Sequence, residues 1–176
     1  MISERCCILN CVEDAKVFLE EFDEGYHQWT LVSTHDSVGD YLRTLDIECI
    51  KLSSLISHDF IVETFKNIEA PFNQLIMWLD SQLANEVSGI LGIQEIAYFK
   101  PLYNYLGKYH LLGMLKAKRA LEDLCKENIP KEMLVYQSVT TSFLDEVDLI
   151  TDIVQSFADK HGFSVIIKQN RIKEQP

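Results

Sequence analysis

Two adjacent side chains, His35 and Asp36, are the most chemically suggestive pair in the sequence. A histidine can act as a general base near neutral pH when a neighbouring group tunes it, so the pair is the candidate catalytic site. Residues adjacent in sequence rarely contact each other productively, and Asp36 or Ser37 could instead cap the helix that is expected to follow. The sequence leaves both interpretations open.

Further polar residues are candidate substrate-binding groups because they end or follow predicted strands, and parallel sheets bind ligands beyond the carboxyl ends of their strands. These residues are Asn10, Thr34, Gln137 and Ser138. The small residues from Ser138 to Ser142 could bind an anion at a helix N-terminus or simply cap that helix. Asp80 lies close to Trp78, so its carboxylate could bind a sugar hydroxyl or could be solvated beside a core tryptophan.

The sequence predicts neither a metal site nor a cofactor site. Cys6, Cys7 and Cys11 lie in an apolar, strand-like run without a Cys-x-x-Cys pair, which is typical of buried cysteines that act as small hydrophobic residues. No Gly-x-Gly-x-x-Gly follows the first strand, and no Gly-x-x-x-x-Gly-Lys occurs anywhere. These absences disfavour a dinucleotide-binding fold of the usual kind and a P-loop NTPase.

Composition and net charge limit the classes of binding partner and the cellular compartment that we expect for this protein. A chain of 176 residues with a net charge of −11 repels phosphate backbones and anionic membranes, so we expect no nucleic-acid partner. The sequence has no apolar run long enough to span a membrane and no signal peptide. It contains five cysteines, an odd number. A cytoplasmic protein with reduced thiols is therefore expected.

Alternating apolar and helical patterns predict an α/β fold. Five apolar segments, beginning near Cys6, Gln28, Glu48, Met133 and Phe163, are predicted strands. Residues 58–126 are predicted to be helical, with a helix break at Pro71 and a turn over 87–93. We therefore expect a single domain over 1–176, with a Rossmann-like, mostly parallel five-stranded sheet and a helical insertion between strands three and four.

This order of elements resembles the N-terminal domain of GT-B-type glycosyltransferases of surface-polysaccharide assembly. The helix Lys108 to Lys126, followed by the run from Ile129 through Pro130 to Tyr136, is similar to the segment before the fourth strand of those domains. The run from Ala158 through Gly162 to Ile167 is similar to their helix-glycine-strand unit. The resemblance covers most of the chain by pattern and places no family catalytic residue on it.

The resemblance implies an acceptor-binding domain. In that family the N-terminal domain mainly holds the sugar acceptor, whereas a second domain grips the nucleotide sugar, and the sequence contains no such second domain. The expectation is therefore the N-terminal half of a longer protein, or a remnant, that is inactive alone. The alternative is a non-enzymatic binding or regulatory module on a Rossmann-like scaffold.

Overall fold

A computed structural model describes residues 3–91, 99, 112–138 and 146–170 of the chain. The described strands are β1 (Arg5–Leu9), β2 (Trp29–Ser33), β3 (Ile50–Lys51), β4 (Glu132–Ser138) and β5 (Ser164–Asn170). The described α-helices are α1 (Val12–Glu21), α2 (Asp36–Thr44), α3 (His58–Leu91), α4 (Leu112–Leu124) and α5 (Glu146–His161). The predicted α/β class is confirmed.

All five strands run parallel in one sheet, in the order β3-β2-β1-β4-β5. This is the order of a Rossmann-like sheet, and its strand order reverses at β1, between β2 and β4. Arg5 of β1 lies opposite Trp29 on one side and Glu132 on the other, so the three central strands start at the same level. The loops that follow these strands therefore share one edge of the sheet.

Each face of the sheet is covered by a pair of helices, which explains why the central strands are apolar on both faces. On one face, Cys6 and Ile8 of β1 pack with the apolar stripes of α4 and α5, including Leu121 and Val154. On the other face, Cys7 and Leu9 pack with residues of α1 and α2. The prediction that Cys6 or Cys7 is buried is confirmed, because neither side chain is exposed.

The region between β3 and β4 differs from the prediction in two places. Helix α3 passes through Pro71 without ending, and it continues to Leu91, where a turn was predicted from residue 87. Proline removes one N–H donor, but apolar residues continue at helical spacing on both sides of it as far as Leu83, and Ile76 among them is buried. Residues 92–98 and 100–111 lie outside the described residues, so the predicted, almost wholly helical insertion over 58–126 is not confirmed.

The chain divides into two compact units, one formed by Met1–Ile56 with Ala117–Pro176 and the other by Ser57–Lys116. The first unit contains the whole sheet, and the second contains α3. The prediction of a single domain over 1–176 stays a prediction. Among the described residues, no helix combines the length and the apolar character that crossing a bilayer requires.

Strand β3 is shorter than predicted. The apolar run from Glu48 to Leu52 predicts a full strand, but only Ile50 and Lys51 pair with β2. Asp46 has a φ of 59°, and the main-chain N–H of Ile47 donates to the carbonyl of Leu42, 3.0 Å away, at the end of α2. This helix-terminating turn holds residues 47–49 away from β2 until Ile50 reaches it.

Candidate functional site at the carboxyl edge of the sheet

The carboxyl ends of β1, β2 and β4 bring the predicted site residues of the first unit to one edge. Asn10 follows β1, Thr34 and His35 follow β2, and Gln137 and Ser138 end β4. In Rossmann-like sheets the ligand crevice opens outside this edge, where the strand order reverses. The position of the predicted site is therefore sound in topology, and its chemistry depends on what each side chain contacts.

Asn10 is a structural cross-link rather than a residue that lines a crevice. Its Nδ2 donates to the Tyr136 carbonyl over 2.7 Å, and its Oδ1 accepts from Thr34 Oγ1 over 3.0 Å. The residue is only 2% exposed. One buried amide thus ties the ends of β4 and β2 across the end of β1, and its carbonyl and amide are both engaged within the protein.

Asp14 fills the position at which a Rossmann-like domain usually binds phosphate. It lies in the first turn of α1, is fully buried, and accepts the main-chain N–H groups of Asn10 (2.9 Å) and Cys11 (3.0 Å) with Oδ2. Free N–H groups at a helix N-terminus attract anions, and here the anion is the protein's own carboxylate. A nucleotide phosphate could bind these N–H groups only by displacing a buried group of like charge.

His35 and Asp36 lie at the start of α2, and both are exposed. His35 occupies the N-cap position with extended backbone angles, and no side-chain capping bond is formed there. Asp36 forms an ion pair with Lys51, whose Nζ lies 3.3 Å from Asp36 Oδ1. The Asp36 side chain is 72% exposed. Within the described residues no hydrogen bond joins the His35 imidazole to Asp36, so any base at this position would be His35 acting without Asp36.

Lys51 connects β3 to α2 through two carboxylates. Its Nζ lies 3.1 Å from Asp40 and 3.3 Å from Asp36, and its stem passes over Gly39. A Cβ on Gly39 would lie 2.8 Å from the Lys51 Cε, so the absent side chain makes room for this stem. The hydrogen bond to Asp40, reinforced by Asp36, raises the pKa of the Lys51 ammonium above its ordinary value.

The structure places the other candidates in different settings. Gln137 and Ser138 pair through the main chain with Gln169 and Asn170 of β5, while their side chains lie outside the described residues. Asp80 belongs to α3 in the second unit, where its carboxylate accepts the main-chain N–H of Phe99 at 2.8 Å.

The tryptophan near Asp80 contradicts one of the two interpretations of that segment. Trp78 is 56% exposed, so it is not the core tryptophan that the structural interpretation assumed. Residues two apart on a helix point to different sides, and the Phe99 N–H already engages the Asp80 carboxylate, so the sugar-binding role of Asp80 stays a prediction.

The cysteines offer no thiolate near neutral pH. All five are free thiols. Burial raises the pKa of Cys6 and Cys7 far above the ordinary value. Burial also raises the pKa of Cys11 and of Cys125 to about 11 each. A thiol with so high a pKa is a poor nucleophile and a poor metal ligand.

The role of Asp14 is the feature that sequence reasoning missed. The sequence places an acidic residue in the first turn of α1, which predicts a favourable interaction with the helix dipole. Together with the missing glycine-rich turn, that acid is the signal that the phosphate position is occupied. No protein-family model, no curated protein and no solved structure matches this chain.

Proposed function

We propose that this chain is the acceptor-binding domain of a glycosyltransferase-like protein of surface-polysaccharide biosynthesis. The observation that carries the proposal is the buried Asp14 carboxylate at the N-terminus of α1, where a nucleotide phosphate would otherwise bind. In the transferase family that the sequence resembles, the N-terminal domain holds the acceptor and leaves the nucleotide sugar to another domain. A Rossmann-like sheet whose phosphate position is already filled is consistent with a domain that binds the acceptor and not the nucleotide sugar.

The acceptor is expected outside the carboxyl edge, over the ends of β1, β2 and β4. Asn10 and Thr34 would act there through the cross-link that shapes this edge, and Gln137 and Ser138 would be the closest ends of β4. His35 would be the base that takes a proton from the acceptor hydroxyl, a task worth roughly 10²–10⁴-fold in rate. In the complete transferase, His35→Ala should lower turnover by that factor without lowering folded stability.

The second candidate function is a binding or regulatory module without catalysis. It is favoured by the exposure of His35 and Asp36 and by the ion pair that already engages Asp36. Under either function we place the protein in the cytoplasm, where its five cysteines stay reduced, and expect no nucleic-acid partner because the chain carries a charge of −11.

A binding screen distinguishes the two candidates. The ¹⁵N-labelled chain is titrated with neutral oligosaccharides, and main-chain amide shifts are recorded. The acceptor proposal predicts saturable shifts at residues 34–37 and 137–138 and no transfer activity by the chain alone. Binding of no saccharide would favour the non-catalytic module. His35→Ala should weaken saccharide binding at this edge. His27→Ala is the control, because it replaces an exposed histidine elsewhere in the first unit.

A further inference from the structure

Strand β2 is paired unequally on its two sides. All five of its residues, Trp29 to Ser33, pair with β1, whereas only Val32 and Ser33 pair with β3. If the β3 register continued, residues 47–49 would lie opposite residues 29–31. Instead the two segments diverge, and a cavity of about 600 Å³ borders both. We call this cavity the β2 slot; it is lined by residues 29–31, 39, 43 and 46–51.

The main chain of β2 borders this slot. Successive side chains of a strand point to opposite faces, so three consecutive residues can line one cavity only where the edge of the strand faces it. The N–H of Thr30 donates to Ser3 Oγ over 3.0 Å, on the β1 side. Since the direction of main-chain groups alternates along a strand, the N–H of Leu31 points the other way, into the slot.

The charges around the slot favour a cationic ligand. Its two basic residues, Arg43 and Lys51, are already paired with carboxylates of α2. Its two acidic residues, Asp46 and Glu48, are exposed, and within the described part of the chain neither forms a salt bridge. The chain as a whole has a charge of −11, so its long-range field also attracts cations.

We propose that the β2 slot binds an extended peptide segment of another protein, carrying lysine or arginine, as an added strand beside residues 29–31. Main-chain hydrogen bonds to an open strand edge provide affinity in this mode of recognition, and side-chain contacts provide specificity. Ile47 and Ile50, both half-buried, supply apolar contacts, and Asp46 and Glu48 select the basic side chains.

A saccharide fits this slot less well than a peptide does. The Trp29 ring, which could otherwise stack on a sugar, packs against Phe18 and Phe22 with centroid distances of 5.9 and 5.3 Å. The residue is only 8% exposed, so the ring offers no open face. The slot exposes a strand edge, and a strand edge binds another polypeptide through main-chain hydrogen bonds.

The test uses two synthetic peptides as long as β2, one alternating valine with lysine and the other alternating valine with glutamate. Each is titrated into the ¹⁵N-labelled chain while amide shifts are followed. The lysine peptide should shift the amides of residues 29–31 and 47–49 saturably, and the glutamate peptide should bind at least about tenfold more weakly because two ion pairs are lost. A lysine peptide N-methylated on the edge that faces β2 should fail to bind.

Variants separate charge recognition from general attraction. Glu48→Lys should weaken the lysine peptide by about threefold to tenfold. Glu24→Lys, which makes the same change in net charge on an exposed residue outside the slot, should have a much smaller effect. Equal effects of the two variants, binding that survives N-methylation, or the absence of any shift at residues 29–31 would overturn the proposal. Slot shifts with neutral oligosaccharides alone would also overturn it, whereas saccharide shifts confined to residues 34–37 and 137–138 would support the acceptor function and leave this proposal standing on the peptide result.

Discussion

Replacing Asp14 should destabilise the first unit more than any exposed substitution in α1. In Asp14→Ala the main-chain N–H groups of Asn10 and Cys11 lose their acceptor while the fold still covers them. A buried donor without a partner costs about 1–3 kcal/mol, so two donors predict a loss of roughly 2–5 kcal/mol once water reaching the half-buried Cys11 is allowed for. Asp14→Asn keeps an acceptor oxygen but loses the charge, and should cost about 1–2 kcal/mol.

Urea unfolding followed by Trp29 fluorescence measures this loss in the unit that contains Asp14. The chain has two tryptophans in different compact units, so a Trp78→Phe background makes the signal specific to the first unit. Glu13→Ala is the matched control, since its side chain is exposed and lies 3.9 Å from Lys16; we expect a change within about 0.5 kcal/mol. An Asp14→Ala variant as stable as Glu13→Ala would refute the assigned role.

Further predictions concern buried hydroxyls, packing and thiols. No described group bonds the buried Tyr136 hydroxyl, so Tyr136→Phe should raise the free energy of unfolding by about 1 kcal/mol, and a clear loss would contradict the assignment. Gly39→Ala should displace the Lys51 stem, visible as a shift of the Lys51 amide and a lower melting temperature. Thiol titration should find five free groups in the unfolded chain and slow reaction of Cys6 and Cys7 in the folded one; three groups or fewer would contradict this. Because Cys125 ionises near pH 9 when unfolded but near 11 when folded, stability should fall as pH rises through that window, and Cys125→Ala should reduce the fall.

The sheet could be predicted because its central strands carry their own signal. Cys6 to Leu9 and Met133 to Tyr136 are continuous apolar runs, which buried parallel strands require, and short connections constrain their order. The length of β3 could not be predicted in this way. Glu48 and Cys49 belong to the predicted strand, but the hydrogen bond from the N–H of the preceding Ile47 to the Leu42 carbonyl ties the chain to the end of α2, and pairing with β2 starts only at Ile50. A contact between elements, rather than local propensity, decided where this strand begins.

The sequence brings the candidate site residues to one edge of the sheet, and ligand binding at that edge stays a prediction. Topology alone brings Asn10, Thr34 and His35 to one edge, since parallel strands end together. An asparagine that follows an apolar strand can either face a ligand or tie neighbouring strands together. The sequence is the same in the two cases, so it could not distinguish them. Only the distances from Asn10 to Tyr136 and Thr34 reveal the cross-link. The same is true of Asp14, whose burial no pattern indicates.

Under the proposed function, the Asp14 carboxylate occupies the phosphate position and nucleotide sugars should not bind this domain there. The most direct measurement is a titration of the ¹⁵N-labelled chain with UDP-N-acetylglucosamine while the amides of Asn10 and Cys11 are followed, since both donate to the Asp14 carboxylate. We predict that neither amide shifts saturably. A saturable shift of both amides, reproduced by UDP alone, would show that the nucleotide diphosphate displaces the carboxylate and would contradict this assignment.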